Sequence, residues 1–355
     1  LSKHAAIVGA GIMGLLTARE LISLGWRVTV YEKYPEMEYR KSTSFAAGGM
    51  LAPFSELESA DELIFKLGLS SIDLWKEICD ELPSPIFFKS NGTLFLSHQR
   101  DKPHFDNATR RIFQHVKESE AAWVKVSDLE PELGDSFEMG LFLPNEGHID
   151  NRQLIPLLAS KLEADGVRML YGETVLDLRP YVVETAKGSL LYDIVIDCRG
   201  IGAVEETADL RGVRGEAFLI HAPEVKIQRP VRLMHPRYAV YIVPRANDHY
   251  YIGATSIESA SEAPVTIRSS LELLSAAYSV HKGFGEASIV EVLHGIRPAF
   301  RNNAPKISFE AGLVSINGLY RHGFLLSPVL ARSFRNFLQD LPVEHAEQIF
   351  SFVRG

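Results

Sequence analysis

A strand, a glycine turn, a helix and a second strand follow one another between His4 and Lys33, and that order predicts an α/β protein with a doubly wound, largely parallel sheet. Two further observations complete the fold class. Helix-then-strand patterning returns at 151–213 and again at 292–355, so the leading domain is assembled from separate stretches of chain. The intervening stretches, 86–150 and 214–291, carry short strands and turns that read as a mainly antiparallel α+β domain. The expected division is 1–85, 151–213 and 292–355 for the first domain, with 86–150 and 214–291 interleaved as the second.

Each element has its own signal. The run from His4 to Ala10 reads as a buried strand, the next fifteen residues as a helix, and Trp26 to Lys33 as a second buried strand. Apolar residues at helical spacing, among them Leu63, Leu67, Ile72, Trp75 and Ile78, predict one or two helices over 60–82. Gly92–Ser97 and Met139–Pro144 read as strands around a polar, helical middle. The segment beginning at Asn151 predicts a helix that Asn151 caps and Gly166 ends, and Tyr192–Gly200 predicts a central parallel strand. Two antiparallel strands follow, with a turn over Ala246–Asp248, and then a helix over Thr266–Val280. A strand at Leu313–Leu319, a turn, and a helix starting near Pro328 complete the chain.

Composition narrows the function classes. The 355 residues carry 37 basic and 45 acidic side chains, for a formal charge of -8, which disfavours a general nucleic-acid partner. No apolar run is long enough to span a bilayer, and the first one lacks the flanks of a signal peptide, so a cytoplasmic location is expected. Cys79 and Cys198 lie apart in apolar surroundings and are expected to be buried, reduced thiols. His148, His235, His281 and His294 show no metal-ligand spacing, and no metal site is expected.

The sharpest motif is Gly9-Ala10-Gly11-Ile12-Met13-Gly14, set between a strand and a helix, with Glu32 at the end of the next strand. Gly9 suits the tight turn, Gly11 a close backbone approach by a diphosphate, and Gly14 close helix–strand packing. The helix N-terminus attracts the diphosphate, while Glu32 is placed for ribose hydroxyls and opposes a 2′-phosphate. This is a Rossmann-like dinucleotide site, and the motif by itself leaves NAD and FAD open. Ser42, Thr43 and Ser44 offer hydroxyls at a helix start, and Ala46, Ala47, Gly48 and Gly49 leave room for a broad planar ring. An ordinary capped helix with a loop is the alternative there. Val175 is a candidate for adenine contact and equally for plain core.

These pieces, together with "YIVPR", "YYIGATS", "HGIRP", "NAP" and "GLYRHGFLLSPVLA", resemble the D-amino-acid oxidase group of flavoproteins, and within it the glycine oxidase branch of thiamine biosynthesis. The resemblance spans residues 5 to about 333. It implies a noncovalently held FAD, with its adenosine end by Gly9–Gly14, Glu32 and Lys33, and Ser42–Met50 (including Ala47, Gly48 and Gly49) running toward the flavin. Gly200 and the segment Arg321, His322, Gly323, Phe324, Leu325 and Leu326 complete the implied cofactor contacts, the latter at the pyrimidine end of the ring. It also implies a small amino-acid or N-substituted glycine substrate, hydride transfer from Cα to flavin N5, molecular oxygen as acceptor with hydrogen peroxide released, and a homo-oligomer, relatives being tetramers. A dehydrogenase that feeds a quinone or carrier and a FAD-bearing scaffold without turnover are the alternatives.

Three side chains carry the implied substrate site. Arg297 corresponds to the arginine that holds the substrate carboxylate by a two-pronged ion pair, a geometry a planar guanidinium suits. Arg321 corresponds to one close to the same pocket, and Tyr241 to a tyrosine whose hydroxyl points at the carboxylate. Arg245, on the same strand face as Tyr241, reads as a structural ion-pair partner, and no catalytic base is nominated. The chain departs from the branch at Ser256, where methionine is frequent, and at Cys198-Arg199, which leaves open whether Arg199 acts on the cofactor or points away.

Overall fold

The computed structural model describes residues 2–36, 41–58, 60–117, 119–235, 237 and 240–352. Its first layer is a seven-stranded sheet. From edge to edge the strands are Phe350–Phe352, Lys306–Glu310, Leu313–Asn317, Ile194–Asp197, His4–Val8, Arg27–Glu32 and Arg168–Tyr171. His4–Val8 runs parallel to both of its neighbours, and within the sheet only Lys306–Glu310 and Leu313–Asn317 pair antiparallel. Ala5, Ala6 and Ile7 are wholly buried because helices and a second small sheet cover both faces, which is why this strand shows no alternation in sequence.

Helices Ile12–Ser23 and Glu62–Asp80 both pack on the C-terminal helix Gly323–Leu338. That helix starts five residues before Pro328, where the sequence suggested it would begin. Proline inside a helix removes one N–H and frees the carbonyl four residues earlier. Here that carbonyl belongs to Phe324, and the buried indole of Trp75 donates to it at 2.7 Å. A tertiary bond thus replaces the missing helical one, which local sequence rules cannot foresee.

The second domain is built on an eight-stranded sheet. Its order is Ser288–Ala299, Arg211–His221, His249–Gly253, Val240–Pro244, Val231–Leu233, Thr93–Leu96, Met139–Leu143 and Ala122–Lys125. All pairs are antiparallel except Val231–Leu233 beside Thr93–Leu96. Alternation divides the sheet cleanly. Phe218, Ile220, Val240, Ile242, Tyr250 and Ile252 face helix Ile267–Val280, whereas Ala217, Val243, Tyr251 and Leu293 face the first domain and meet Met50.

Several expectations need adjustment. Strands Arg211–His221 and Ser288–Ala299 run across the expected boundaries at 213/214 and 291/292, so we place those boundaries in the flanking loops. Asp150, rather than Asn151, caps the helix Asn151–Ala164, its carboxylate accepting from the Arg152 and Gln153 N–H groups. Asn151 instead donates to the Ser44 and Phe45 carbonyls, tying that helix to the first domain. The Ala246–Asp248 turn is present, with Asn247 and Asp248 at φ 57° and 56°. Cys198 is buried and Cys79 half-buried; both are free thiols, and burial pushes Cys79 up to about 12.

Replacing Trp75 by Phe strands the Phe324 carbonyl and should cost about 1–3 kcal/mol in urea unfolding. In a Pro328→Ala background the new N–H can reach that carbonyl, so the same replacement should cost about 1 kcal/mol less. Strict additivity across the four proteins would refute this account of the proline.

Candidate active site

The glycine turn is sterically fixed. Gly9 sits at φ +105°, and a Cβ there would lie 2.6 Å from the Cys198 carbonyl oxygen. A Cβ on Gly14 would come within 1.9 Å of the Gly9 oxygen. Gly11 precedes helix Ile12–Ser23 and supplies no side-chain cap; the Ile12 N–H meets Ser44 Oγ at 3.1 Å. Glu32 is held by two backbone donors, Ala10 N–H at 2.9 Å and Tyr34 N–H at 3.1 Å. One carboxylate therefore joins the strand end to the glycine turn. Lys33 is exposed, with its ammonium 4.9 Å from the Tyr34 ring centre. The Glu173 N–H donates to the Glu32 carbonyl and brings the strand Val175–Arg179 alongside; half-buried Val175 packs on the cluster around Tyr31.

Ser42 caps the short helix Thr43–Ala46, and Thr43 Oγ1 donates to the Ile296 carbonyl at 2.9 Å, linking this segment to the large sheet. After Ala47 the chain turns at Gly49, φ +61°, where a Cβ would lie 2.0 Å from the Ile149 carbonyl oxygen. Met50–Leu51 then pairs with Gly147–Ile149. Arg245 donates to the Gly48 carbonyl at 2.6 Å and to the Pro244 carbonyl, and it forms no ion pair at salt-bridge distance among the described residues. The expected ion-pair role of Arg245 is thus replaced by a clamp on the loop, and burial pulls its guanidinium down to about 10. Gly200, φ +57°, opens a turn whose carbonyl accepts from Asn317. Arg199 is neutralised by Asp197 and Glu206, at 2.8 and 2.7 Å, which resolves its role as structural.

Two long helices of the first domain begin without a side-chain cap, Ile12–Ser23, and Gly323–Leu338 after His322; Lys102–Phe113, in the second domain, begins the same way. By contrast Asp61, Asp150 and Thr266 cap helices Glu62–Asp80, Asn151–Ala164 and Ile267–Val280. Open first-turn N–H groups are donors for an anion or a polarised carbonyl. With the small-residue strip Ala46–Gly49, they form a donor set that suits a dinucleotide bearing a flavin. Gly323 and Phe324 lead the second of these helices, while Leu325 and Leu326 are buried in the core.

A cluster of charges lies on the face of the large sheet directed at the first domain. Pairing puts Arg297 beside Val213, Tyr241 beside Arg232, and Gly253 beside both Ala217 and Tyr241, all on that face. Glu56, from the short helix Pro53–Glu56, enters the middle of the cluster. Arg321 donates to Glu56 Oε2 from Nε at 2.8 Å and Nη2 at 2.6 Å, and Tyr241 donates to Oε1 at 2.9 Å. Wholly buried Arg232 donates to Tyr241 Oη at 2.7 Å and to the Ser55 carbonyl, and is ion-paired with Glu58. Burial alone would raise the Glu56 carboxyl, but Arg321, His322 and Arg232 outweigh it and hold the group at about 2. Burial takes His322 down to about 4, leaving it neutral near pH 7, and pushes Glu146, which accepts from Ser55, up to about 7.

Arg297 differs from its neighbours. Its guanidinium lies across Gly215, where a Cβ would be 2.3 Å from Nη2, and its one hydrogen bond to a described residue is to the Thr255 carbonyl at 3.0 Å. It has no carboxylate at ion-pair distance among the described residues, and burial lowers its pKa. A half-buried cation in this state favours an incoming anion. Tyr241, expected to point its hydroxyl at the substrate carboxylate, and Arg321, expected close to the same pocket, lie in the same cluster and donate to Glu56. Glu56, Arg232 and Gly215 were not singled out in the sequence. Glu56 stands six residues after Met50, and Arg232 carries no local signal, its partner being across the sheet.

A glycine turn closed by a strand-end acid, two helix starts without side-chain caps and a separate cationic cluster suit a dinucleotide-dependent oxidoreductase of the flavin-binding class. The chain belongs to the FAD dependent oxidoreductase family designated DAO, which matches residues 4–335. It is 39% identical over 323 residues to a putative thiamine biosynthesis oxidoreductase ThiO of Rhizobium etli, covering 91% of this chain and 92% of that one. It is 26% identical over 345 residues to a glycine oxidase of Geobacillus kaustophilus, covering 91% and 89%. A crystal structure of glycine oxidase from that organism superposes with a TM-score of 0.86 at 24% identity, over 100% of both chains. Iminodiacetate oxidase from Chelativorans sp. BNC1 follows at 0.83 and 22%, over 98% and 99%. The protein is therefore an FAD-dependent oxidoreductase with the mixed α/β fold expected. Among the described residues no helix is long and apolar enough to cross a membrane, and no cluster of metal ligands occurs.

Because Glu56 falls from 4.5 to about 2 on folding, its contribution is complete above pH 4.5 and is lost as pH drops toward 2. The wild type should lose on the order of 3 kcal/mol from this group across that window. Glu56→Gln should be less stable at pH 7, where Arg321 loses its partner, and should show a flatter acid limb; chemical unfolding at a series of pH values measures both. Glu32→Ala, which also frees the Ala10 N–H, should lower flavin retention on gel filtration while leaving the order of substrate preference intact.

Proposed function

We propose that the protein oxidises glycine or a small N-substituted glycine or D-amino acid to the imine, which water hydrolyses to an oxo acid and ammonia or an amine, while molecular oxygen takes up the two electrons and two protons and leaves as hydrogen peroxide. The observation that carries this reading is Arg297, a half-buried guanidinium on the sheet face directed at the cofactor domain, with no carboxylate at ion-pair distance among the described residues. The names of the Rhizobium etli and Geobacillus kaustophilus relatives support the same substrate class and a link to thiamine biosynthesis.

Bound FAD supplies the two-electron acceptor for such an oxidation. The chain's own task is binding and orientation. Arg297 receives the carboxylate and fixes one end of a small acid, which limits its freedom to rotate. Glu56 keeps Arg321 and Tyr241 in place, so the cavity wall is set before substrate arrives. Neutral His322 adds no second positive charge beside Arg297 at pH 7. Neither Glu56, ion-paired and strongly acidic, nor His322 has the properties of a base that works near neutrality. The amine should therefore enter unprotonated, and turnover should rise with pH toward the amine's own pKa.

Anaerobic mixing with glycine, sarcosine and larger N-alkyl glycines should bleach the flavin for at least one of them. Absence of bleaching with every amino acid tried would reject turnover of this class. Arg297→Ala should retain flavin and lose about 2–5 kcal/mol in kcat/KM, roughly 30- to 5,000-fold. Peroxide release measured against dye reduction separates an oxidase from a dehydrogenase that feeds a carrier, since rapid dye reduction without peroxide excludes the former.

A further inference from the structure

Helix Ile267–Val280 carries two apolar faces, and the second one faces solvent. The first is ordinary: Leu273, Ala276, Ala277 and Val280 are buried against the large sheet. At about 100° per residue, Ile267, Leu271, Leu274 and Tyr278 fall within roughly 60° of one another, on nearly the opposite side of the helix. Ile267 is 80% exposed, Leu271 63% and Tyr278 51%, with Leu274 half-buried at the margin. Single exposed apolar residues are normal on a protein surface. A whole stripe of them, on a helix that already has its core face, is not explained by folding of one chain.

The stripe is also symmetric. Read outward in both directions from the bond between Glu272 and Leu273, it runs Leu271 and Leu274, then Ser270 and Ser275, then Ile267 and Tyr278. Two such helices set antiparallel about a two-fold axis at that point bring Leu271 against the partner's Leu274, serine against serine, and Ile267 against the partner's Tyr278. Every contact is then made twice. None of the six side chains is charged, so two copies of a chain of formal charge -8 can meet here without burying like charges. Glu272, at the flank, is ion-paired with Arg237 of its own chain.

The helix is about 21 Å long, and one helix pair falls short of the roughly 800 Å² per partner of a standard interface. The apolar surface continues beyond it. Tyr278 lies over Gly285, where a Cβ would be 2.9 Å from its Cε2, and the strand Ser288–Ala299 begins just after that turn. This strand is the outermost of the large sheet. Its Ile289 and Val292 are 53% and 49% exposed, and pairing with Ile220 and Phe218 turns them to the side of the sheet that holds the helix.

We propose that a second copy of this chain docks on this surface, forming a two-fold dimer with helix Ile267–Val280 antiparallel at its centre and Ile289 and Val292 at its rim. The symmetry of the stripe selects the occupant, because an unrelated partner gives no reason for one half of the helix to match the other. The surface lies on the side of the large sheet away from the first domain, so pairing leaves both candidate active sites open.

Sedimentation velocity of the flavin-loaded protein, from about 1 to 100 µM, should show a reversible dimer. Leu271→Glu sets an unpaired carboxylate in the contact and should weaken association about 100-fold or more, with flavin content and turnover per flavin unchanged. Val292→Glu, at the rim, should weaken it about tenfold. The double variant Leu271→Glu/Leu274→Lys should regain association, because the antiparallel register sets each new carboxylate against the partner's new ammonium. A wild type that stays monomeric throughout would overturn the proposal, and its co-sedimentation with neutral phosphatidylcholine vesicles would give the stripe to a lipid surface instead. Wild-type association in Leu271→Glu would overturn it too, moving the contact to another exposed patch such as Leu190 and Leu191. Failure of the double variant to reassociate would overturn the antiparallel two-fold register.

Discussion

The ion pair between Glu56 and Arg321 organises the candidate site. Arg321, Arg232 and the Tyr241 hydroxyl converge on one carboxylate, and their combined attraction reverses the effect of burial and keeps it ionised. Once Arg321 and Tyr241 are committed to Glu56, and Arg232 to Glu58 and Tyr241, the remaining positive charge is Arg297. Breaking a buried pair is far costlier than forming it is favourable. The protein thus has reason to keep the cluster intact while a ligand binds at its edge.

The large sheet supports this cluster by omission. Gly215, Gly295, Ala217 and Gly253 occupy paired positions in which any larger side chain would meet Arg297, Thr43 or Tyr251. Two long polar side chains can then lie across the strands instead of standing away from them. The opposite face of the same strands carries Phe218, Ile220 and Ile252 in an ordinary apolar core. Alternation along a strand separates the two environments with no loop between them.

Much of this was legible in the sequence, and the failures have physical causes. The glycine turn, Glu32 and the parallel core follow from local pattern, because strand, turn and helix each constrain neighbouring residues. The start of the C-terminal helix was misplaced because proline is a local breaker, whereas the bond that rescues it comes from Trp75, 249 positions away. Tyr241 was singled out through the resemblance, whereas its bond to Glu56 was not, since Glu56 lies 185 residues away and nothing nearby announces it. Arg245 was expected to pair with a carboxylate and instead holds the Gly48 carbonyl. Spacing along a chain identifies which residues share a face; it does not say which partner satisfies each donor.

The separation in chain of the clustered groups bears on how the protein is made. Glu56 and Arg321 stand 265 positions apart, with Tyr241 between them. During synthesis the acid emerges long before Tyr241, and Tyr241 before Arg321, so its set of partners is completed in stages.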